Sequence, residues 1–158
     1  MKFYSVVAKS YNEMYKEEQI RKLNLIKNEV EVIPPLLDIG CGTGISTNFL
    51  TKDSIGIDNN KEMLKMAPKN CVYANAESLP FKDGSFNTII SLTAFQNIKN
   101  MGKALREVIR VSSNGNIVIT FLKRSRRLEI FRELMNKYFK FKEIEEDKDV
   151  IFVVKKIK

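Results

Sequence analysis

Three glycines separated by single residues, Gly40, Gly42 and Gly44 in LLDIGCGTGIST (36–47), constrain this chain more than any other stretch. They follow a short apolar run, Leu36, Leu37 and Ile39, of the length of a buried parallel strand. Asp38 interrupts that run near its carboxyl end, where a strand delivers side chains to a site. Alternating glycines let the backbone turn tightly and let a ligand lie against bare peptide. A helix is expected next, over Ile45 to Leu50, with its free N–H groups aimed at that ligand. A nicotinamide dinucleotide asks for G-x-G-x-x-G/A. Counted from Gly40 the third glycine position is Ile45, and from Gly42 it is Thr47, so that fingerprint is absent.

The remaining pattern alternates strand and helix. Residues 5–33 read as one helix, with Ile20, Leu23, Ile26 and Val30 recurring at three- and four-residue steps. Glu17, Glu18, Arg21 and Lys22 are placed for i,i+4 pairs, and Pro34 and Pro35 stop the helix. Ser54 to Asp58 is a second strand. An acid at its tip either accepts hydrogen bonds from ribose hydroxyls or caps the helix that follows. Asn60 opens that helix, which runs through Met63 and Leu64 and ends before Pro68. Cys71 to Ala74 is a third strand, followed by NAESLPF (75–81) and the turn Asp83-Gly84-Ser85-Phe86. Thr88 to Leu92 is a fourth, running into Thr93, Gln96 and Asn97. These three lie beyond a strand's carboxyl end, so they either face a ligand or serve as ordinary loop and cap residues. A helix over Met101–Val111, a strand over Asn116–Phe121, a helix from about Leu128 to Tyr138 and a hairpin over Phe139–Glu145 and Val150–Lys155 complete the pattern.

D-x-G-x-G-x-G after an apolar strand, Asp58 at the next strand's tip, LPFKDGSFN (79–87) and the strand end at Thr93 occur in the order found in class I S-adenosylmethionine (SAM)-dependent methyltransferases. Over roughly residues 34–155 the chain resembles that family. The resemblance implies an α/β, Rossmann-like, seven-stranded, mostly parallel sheet in the order 3-2-1-4-5-7-6. Helices cover both faces and an antiparallel hairpin ends the fold. It implies SAM as cofactor and S-adenosylhomocysteine as product. Asp38, Gly40, Gly42 and Gly44, with Cys41 among them, fall at the methionine end, and Asp58 at the ribose. Asn75 and Ala76 fall at the adenine. Asn59, Met63, Glu77 and Leu92 complete the cofactor set. Asn75 and Asn87 stand where the family commonly carries an acid. Candidates for a catalytic role are Thr93, Gln96, Asn97 and Tyr11. The expected organisation is one domain, 1–158, with a helical lid over 1–33 and the nucleotide-binding core over 34–158. Tyr4, Tyr11 and Tyr15 either line that lid or pack its helix onto the sheet.

Composition narrows the chemistry. The chain has no histidine, which removes the commonest general base and metal ligand, and no metal is expected. Cys41 and Cys71 read as small buried fillers in a reducing compartment. No apolar run is long enough for a membrane span or a signal peptide, so a cytoplasmic protein is expected. Net charge is +8, from 27 Lys+Arg against 19 Asp+Glu. Lys123, Arg124, Arg126 and Arg127 crowd the start of a helix, where the macrodipole prefers negative charge. They are either phosphate contacts or a solvated basic loop. The expected function is methyl transfer to RNA or an RNA-associated protein, with a small protein partner or a second copy of the chain. Alternatives are a small-molecule methyltransferase with its acceptor under the N-terminal helix, or a non-catalytic SAM-fold subunit that activates a partner. No N/D-P-P-Y/F/W tetrapeptide follows the fourth strand, which argues against enzymes of exocyclic adenine amines or glutamine amides.

Overall fold

The structure, a computed structural model, describes residues 2–158, with side chains from Glu13 onward. Its strands are β1 (Leu36–Ile39), β2 (Ser54–Asp58), β3 (Cys71–Tyr73), β4 (Thr88–Ser91), β5 (Ile117–Leu122), β6 (Phe139–Glu145) and β7 (Asp149–Ile157). They form one sheet in the order β3-β2-β1-β4-β5-β7-β6. The first five are parallel, and β7 runs antiparallel to both β5 and β6. This is the expected order, and the chain reverses direction across the sheet between β1 and β4, where an open α/β sheet opens a crevice.

Alternation along the strands decides what covers each face. Leu36, Ile90, Val118, Ile151 and Val153 point to one side, where they meet Leu23 and Ile26 of α1 (Lys2–Glu29). Leu37, Ile89, Ile117, Ile119 and Phe152 point to the other. There they meet Ala104, Leu105 and Val108 of α3 (Met101–Val111) and Phe131 and Met135 of α4 (Leu128–Tyr138). Phe131 stacks on Phe121 with centroids 4.5 Å apart and meets Phe152 edge-on at 5.2 Å. A fourth helix, α2 (Lys61–Leu64), is a single turn capped by the Asn60 carbonyl, which accepts from the N–H groups of Glu62 and Met63.

Two expectations are corrected here. No helix forms over 45–50; the segment winds as successive turns, with Thr47 N bonded to Gly44 O and Phe49 N to Ser46 O. The hydroxyls of Ser46 and Thr47 are spent on the Asp38 carboxylate, which holds the segment in turns. The second concerns α1, which ends at Glu29, short of the expected residue 33, so Pro34 and Pro35 follow an irregular segment rather than stop the helix. Its buried stripe is Gln19, Lys22, Leu23 and Ile26, while Ile20 stays partly exposed. The charges placed for i,i+4 pairs reach off the helix instead. Glu18 takes Lys148, Arg21 takes Glu146 and Lys22 takes Asp149. The acidic turn between β6 and β7 is therefore the complement of α1, a tertiary match that helix periodicity does not contain.

Candidate active site

The glycine loop leaves β1 with the N–H groups of Gly40 and Cys41 both donating to Ile57 O, at 2.8 and 2.9 Å. Its three glycines all have positive φ, yet they answer to different neighbours. A Cβ on Gly40 would lie 2.4 Å from Ala94 Cβ, and one on Gly44 2.4 Å from Pro68 Cδ. A Cβ on Gly42 would meet nothing within 4 Å. Gly42 is thus the one whose bare peptide faces open space. Its N–H donates to Asp58 Oδ2 at 2.8 Å, while Asp58 Oδ1 accepts from Asn60 N at 2.8 Å. Asp58 therefore braces both the glycine loop and the entry to α2. Each of its oxygens retains a lone pair for a ligand.

Beside this loop lies a cleft of about 510 Å³, within the range of small-molecule sites. Gly40, Gly42, Asp58, Asn59 and Met63 line one side of it. Asn75, Ala76 and Glu77 line another, and Leu92, Thr93, Ala94 and Asn97 a third, with Tyr15 of α1 also reaching in. Nine of the twelve expected cofactor residues therefore meet at one cleft; Asp38, Cys41 and Gly44 do not. Gly44 is packed against the Pro68 turn. Cys41 is buried against Gly56 of β2, where a Cβ would sit 2.7 Å from Cys41 Cβ and 2.7 Å from Thr47 Oγ1. Burial pushes the Cys41 thiol far up, so it is a filler and no nucleophile. Gly56, which sequence reasoning passed over, is the strand position that makes room for the loop. Asn75 Oδ1 accepts from Glu77 N at 2.9 Å, so half of its amide shapes the turn. Arg110 fixes the chain after that turn by donating to Leu79 O and Phe81 O, an attachment no sequence pattern signals.

Asp38 lies under the loop, 1% exposed. Its Oδ2 accepts from Ser46 Oγ at 2.6 Å and Thr47 Oγ1 at 2.9 Å, while its Oδ1 has no partner among the described residues. Burial pushes this carboxyl up to about 6, against the two hydroxyl bonds. A carboxyl raised above its unfolded value favours the fold when protonated. That contribution is complete below pH ~4 and is lost as pH rises through ~6, amounting to about 3 kcal/mol. The stability difference between the protein and its Asp38→Asn variant should therefore drift against the wild type from pH 4 to pH 7. Urea unfolding across that range measures it, and a flat difference would refute the assignment.

The β4 exit differs from expectation. Thr93 adopts φ +51, a strained value for a β-branched residue that costs about 1–3 kcal/mol. Its hydroxyl donates to Asp149 Oδ2 at 2.5 Å and accepts from Lys22 Nζ at 2.9 Å. Gln96 does not line the cleft; its Nε2 donates to Thr93 O at 2.7 Å and braces the bend. Asn97 does line it. The side chains of Tyr4 and Tyr11 lie outside the described residues. Arg127 is corrected from phosphate contact to clamp. Its guanidinium donates to Gln96 O at 2.9 Å, Ile98 O at 2.6 Å and Lys99 O at 3.1 Å, closing the short 3₁₀ turn Phe95–Asn97. Those carbonyls explain an arginine at a helix start without any anion.

The family described as methyltransferase domain matches residues 37–120. Among curated relatives, the uncharacterized protein MJ1252 of Methanocaldococcus jannaschii is 41% identical over 123 residues, covering 74% of this chain and 49% of its own. The chain spans about half the length of the curated relatives it matches, as in this case. Among solved structures, a SAM-dependent methyltransferase of Thermotoga maritima, described as a possible histamine N-methyltransferase, superposes with TM-score 0.68. It is 19% identical, over 94% of this chain and 96% of that one. A chain from the complex between the Haloferax volcanii Trm112 methyltransferase activator and a candidate methyltransferase superposes with TM-score 0.74. It is 14% identical, over 96% of this chain and 95% of that one. At these identities the two structures speak for the fold.

Proposed function

The chain belongs to the methyltransferase-domain family, in its class I SAM-dependent form, and on that premise we propose that the cleft at the carboxyl edge of the sheet holds SAM beside a methyl acceptor. The observation that carries this reading is convergence. Open backbone at Gly42, two spare lone pairs on Asp58 and the Asn75–Glu77 segment share one cleft of fitting volume. When bound, SAM supplies a methyl group on a sulfonium that is already electrophilic.

The chain's own work is then alignment and exclusion of water. The backbone of Gly40 and Gly42 admits the methionine end, Asp58 holds the ribose hydroxyls, and Asn75 with Ala76 meets the adenine. Met63 and Leu92 supply apolar contact. Asp38 acts from beneath, by holding Ser46 and Thr47 and so the loop above them. With no histidine in the chain, an acceptor atom that carries no proton to remove, such as a ring nitrogen, suits the site best. Residues 34–158 form the catalytic core in this proposal, and 1–33 the element that covers it.

We propose RNA or an RNA-associated protein as acceptor, in the cytoplasm. Support comes from the +8 charge and from Lys123, Arg124 and Arg126 just past β5, with both arginines exposed. Arg127 leaves that set. The likeness to a chain from an activator complex supports a small protein partner. Two free cysteines support a reducing compartment. A small-molecule acceptor is the second reading, favoured by Tyr15 reaching the cleft beneath α1.

Labelled SAM incubated with the protein and fractionated cell extract tests the proposal. SAM is expected to bind one-to-one and label to enter RNA or RNA-bound protein. Serine at Lys123, Arg124 and Arg126 should reduce that transfer and flatten the salt dependence of RNA binding by roughly 2–3 in log–log slope. Label in small molecules alone selects the second reading, and no binding of SAM overturns the enzyme assignment in favour of a non-catalytic subunit.

A further inference from the structure

Lys22 and Asp149 form an ion pair at 3.0 Å with side chains only 4% and 0% exposed. One oxygen, Asp149 Oδ2, takes the lysine, the Thr93 hydroxyl at 2.5 Å and the Thr120 hydroxyl at 2.7 Å; Thr93 N in turn donates to Thr120 Oγ1 at 2.8 Å. The network thus joins α1, β5, β7 and the end of β4. The flanking pairs Arg21–Glu146 and Lys148–Glu18 each have one partner more than half exposed, and exposed pairs of that kind add little. A buried pair is poor evidence for stability as well, since well-packed apolar residues usually do as well or better in its place. What this pair touches is the strained residue. A backbone outlier persists only where its surroundings over-determine it, and here the surroundings are Lys22, Asp149, Thr120 and Gln96.

We infer that Lys22 and Asp149 are positioning residues: their buried ion pair, which seats α1 on the start of β7, holds Thr93 in the left-handed conformation and so sets the cleft wall formed by Thr93, Ala94 and Asn97. That wall meets the glycine loop directly, because Ala94 Cβ occupies the space a Gly40 Cβ would need. The C-terminal half of α1 is then a fixed part of the site. The inference rests on the reading of this cleft as the cofactor site.

Thr93→Gly and Thr93→Val separate positioning from plain contact. Glycine loses more atoms but takes φ +51 freely; valine keeps the strain and loses the hydroxyl that restrains it. Valine is expected to weaken S-adenosylhomocysteine binding about tenfold and to speed amide exchange over 94–99, with glycine changing affinity by less than about threefold. The charge-free pair Lys22→Met with Asp149→Leu should also lose about tenfold, and adding Thr93→Gly should restore binding to within about threefold. Glycine as damaging as valine, or the charge-free pair binding like wild type, or no restoration by glycine, overturns the inference. If the charge-free pair does not fold, the valine–glycine order decides alone. If the wild type itself does not bind S-adenosylhomocysteine, the cofactor reading fails, and amide exchange over 94–99 in the unliganded Thr93 variants still decides whether the wall is held this way.

Discussion

Replacing Asp58 by alanine is expected to lower the affinity for SAM about 100-fold or more, the largest loss in binding among single substitutions in the cleft. In the proposed site Asp58 makes two charge-assisted hydrogen bonds to ribose hydroxyls, of a kind that contributes roughly 1.5–3 kcal/mol each, so losing both would correspond to at least two decades in affinity. The carboxylate also braces the N–H groups of Gly42 and Asn60. Alanine frees these as well, and a looser loop alone would weaken binding. A chemical double-mutant cycle separates the two causes. Analogues lacking one ribose hydroxyl should bind the wild type about tenfold more weakly than SAM and bind Asp58→Ala no more weakly than SAM does. Calorimetric titration reads both. A deoxy penalty that persists undiminished in the alanine variant would remove Asp58 from the ribose site and leave it as a loop brace. Asp58→Asn should fall between, since its carbonyl keeps one acceptor while its amide group confronts a backbone N–H.

The parts of this molecule legible in the sequence are those whose cause is local. Apolar runs of strand length and the Asn60 cap each act within a few residues. The seven strands and α3 and α4 accordingly fall within a residue or two of expectation. The sheet order followed from the resemblance rather than from spacing. Where the sequence misleads, the cause lies elsewhere in the chain. Lys22 looks like a surface lysine with Glu18 one turn away, and only the fold brings Asp149, 127 positions later, within reach. Arg127 looks like an anion contact until the carbonyls of Gln96, Ile98 and Lys99 are seen in front of it. Asp38 reads as a ligand residue at a strand end, but its side chain turns into the layer beneath the loop, toward Ser46 and Thr47. The short turn over 45–50 failed as a helix because its hydroxyls were committed to that carboxylate.

The same distinction applies within the glycine loop and sets the largest expected effect on stability. The motif treats Gly40, Gly42 and Gly44 as equivalent ligand-facing positions, yet only Gly42 has open space before it. Gly40→Ala places a methyl group 2.4 Å from Ala94 Cβ, in a backbone at φ +76. Overpacking of this kind costs about 1–3 kcal/mol and the left-handed backbone about 1–2 more, a large share of the stability of a domain this size. Ala94 cannot yield easily, because its loop is held on either side by Thr93 and by the Arg127 clamp. The urea midpoint of Gly40→Ala should therefore fall by an amount equivalent to about 2–5 kcal/mol. Adding Ala94→Gly removes the steric part and leaves the backbone part, so the pair should recover about 1–3 kcal/mol of that loss. Gly42→Ala meets no neighbour, so it should show the backbone part alone, about 1–2 kcal/mol. Equal losses at Gly40 and Gly42, with no recovery from Ala94→Gly, would mean that backbone conformation alone selects these glycines and that the close approach of the β4 exit to the loop is not what Gly40 serves.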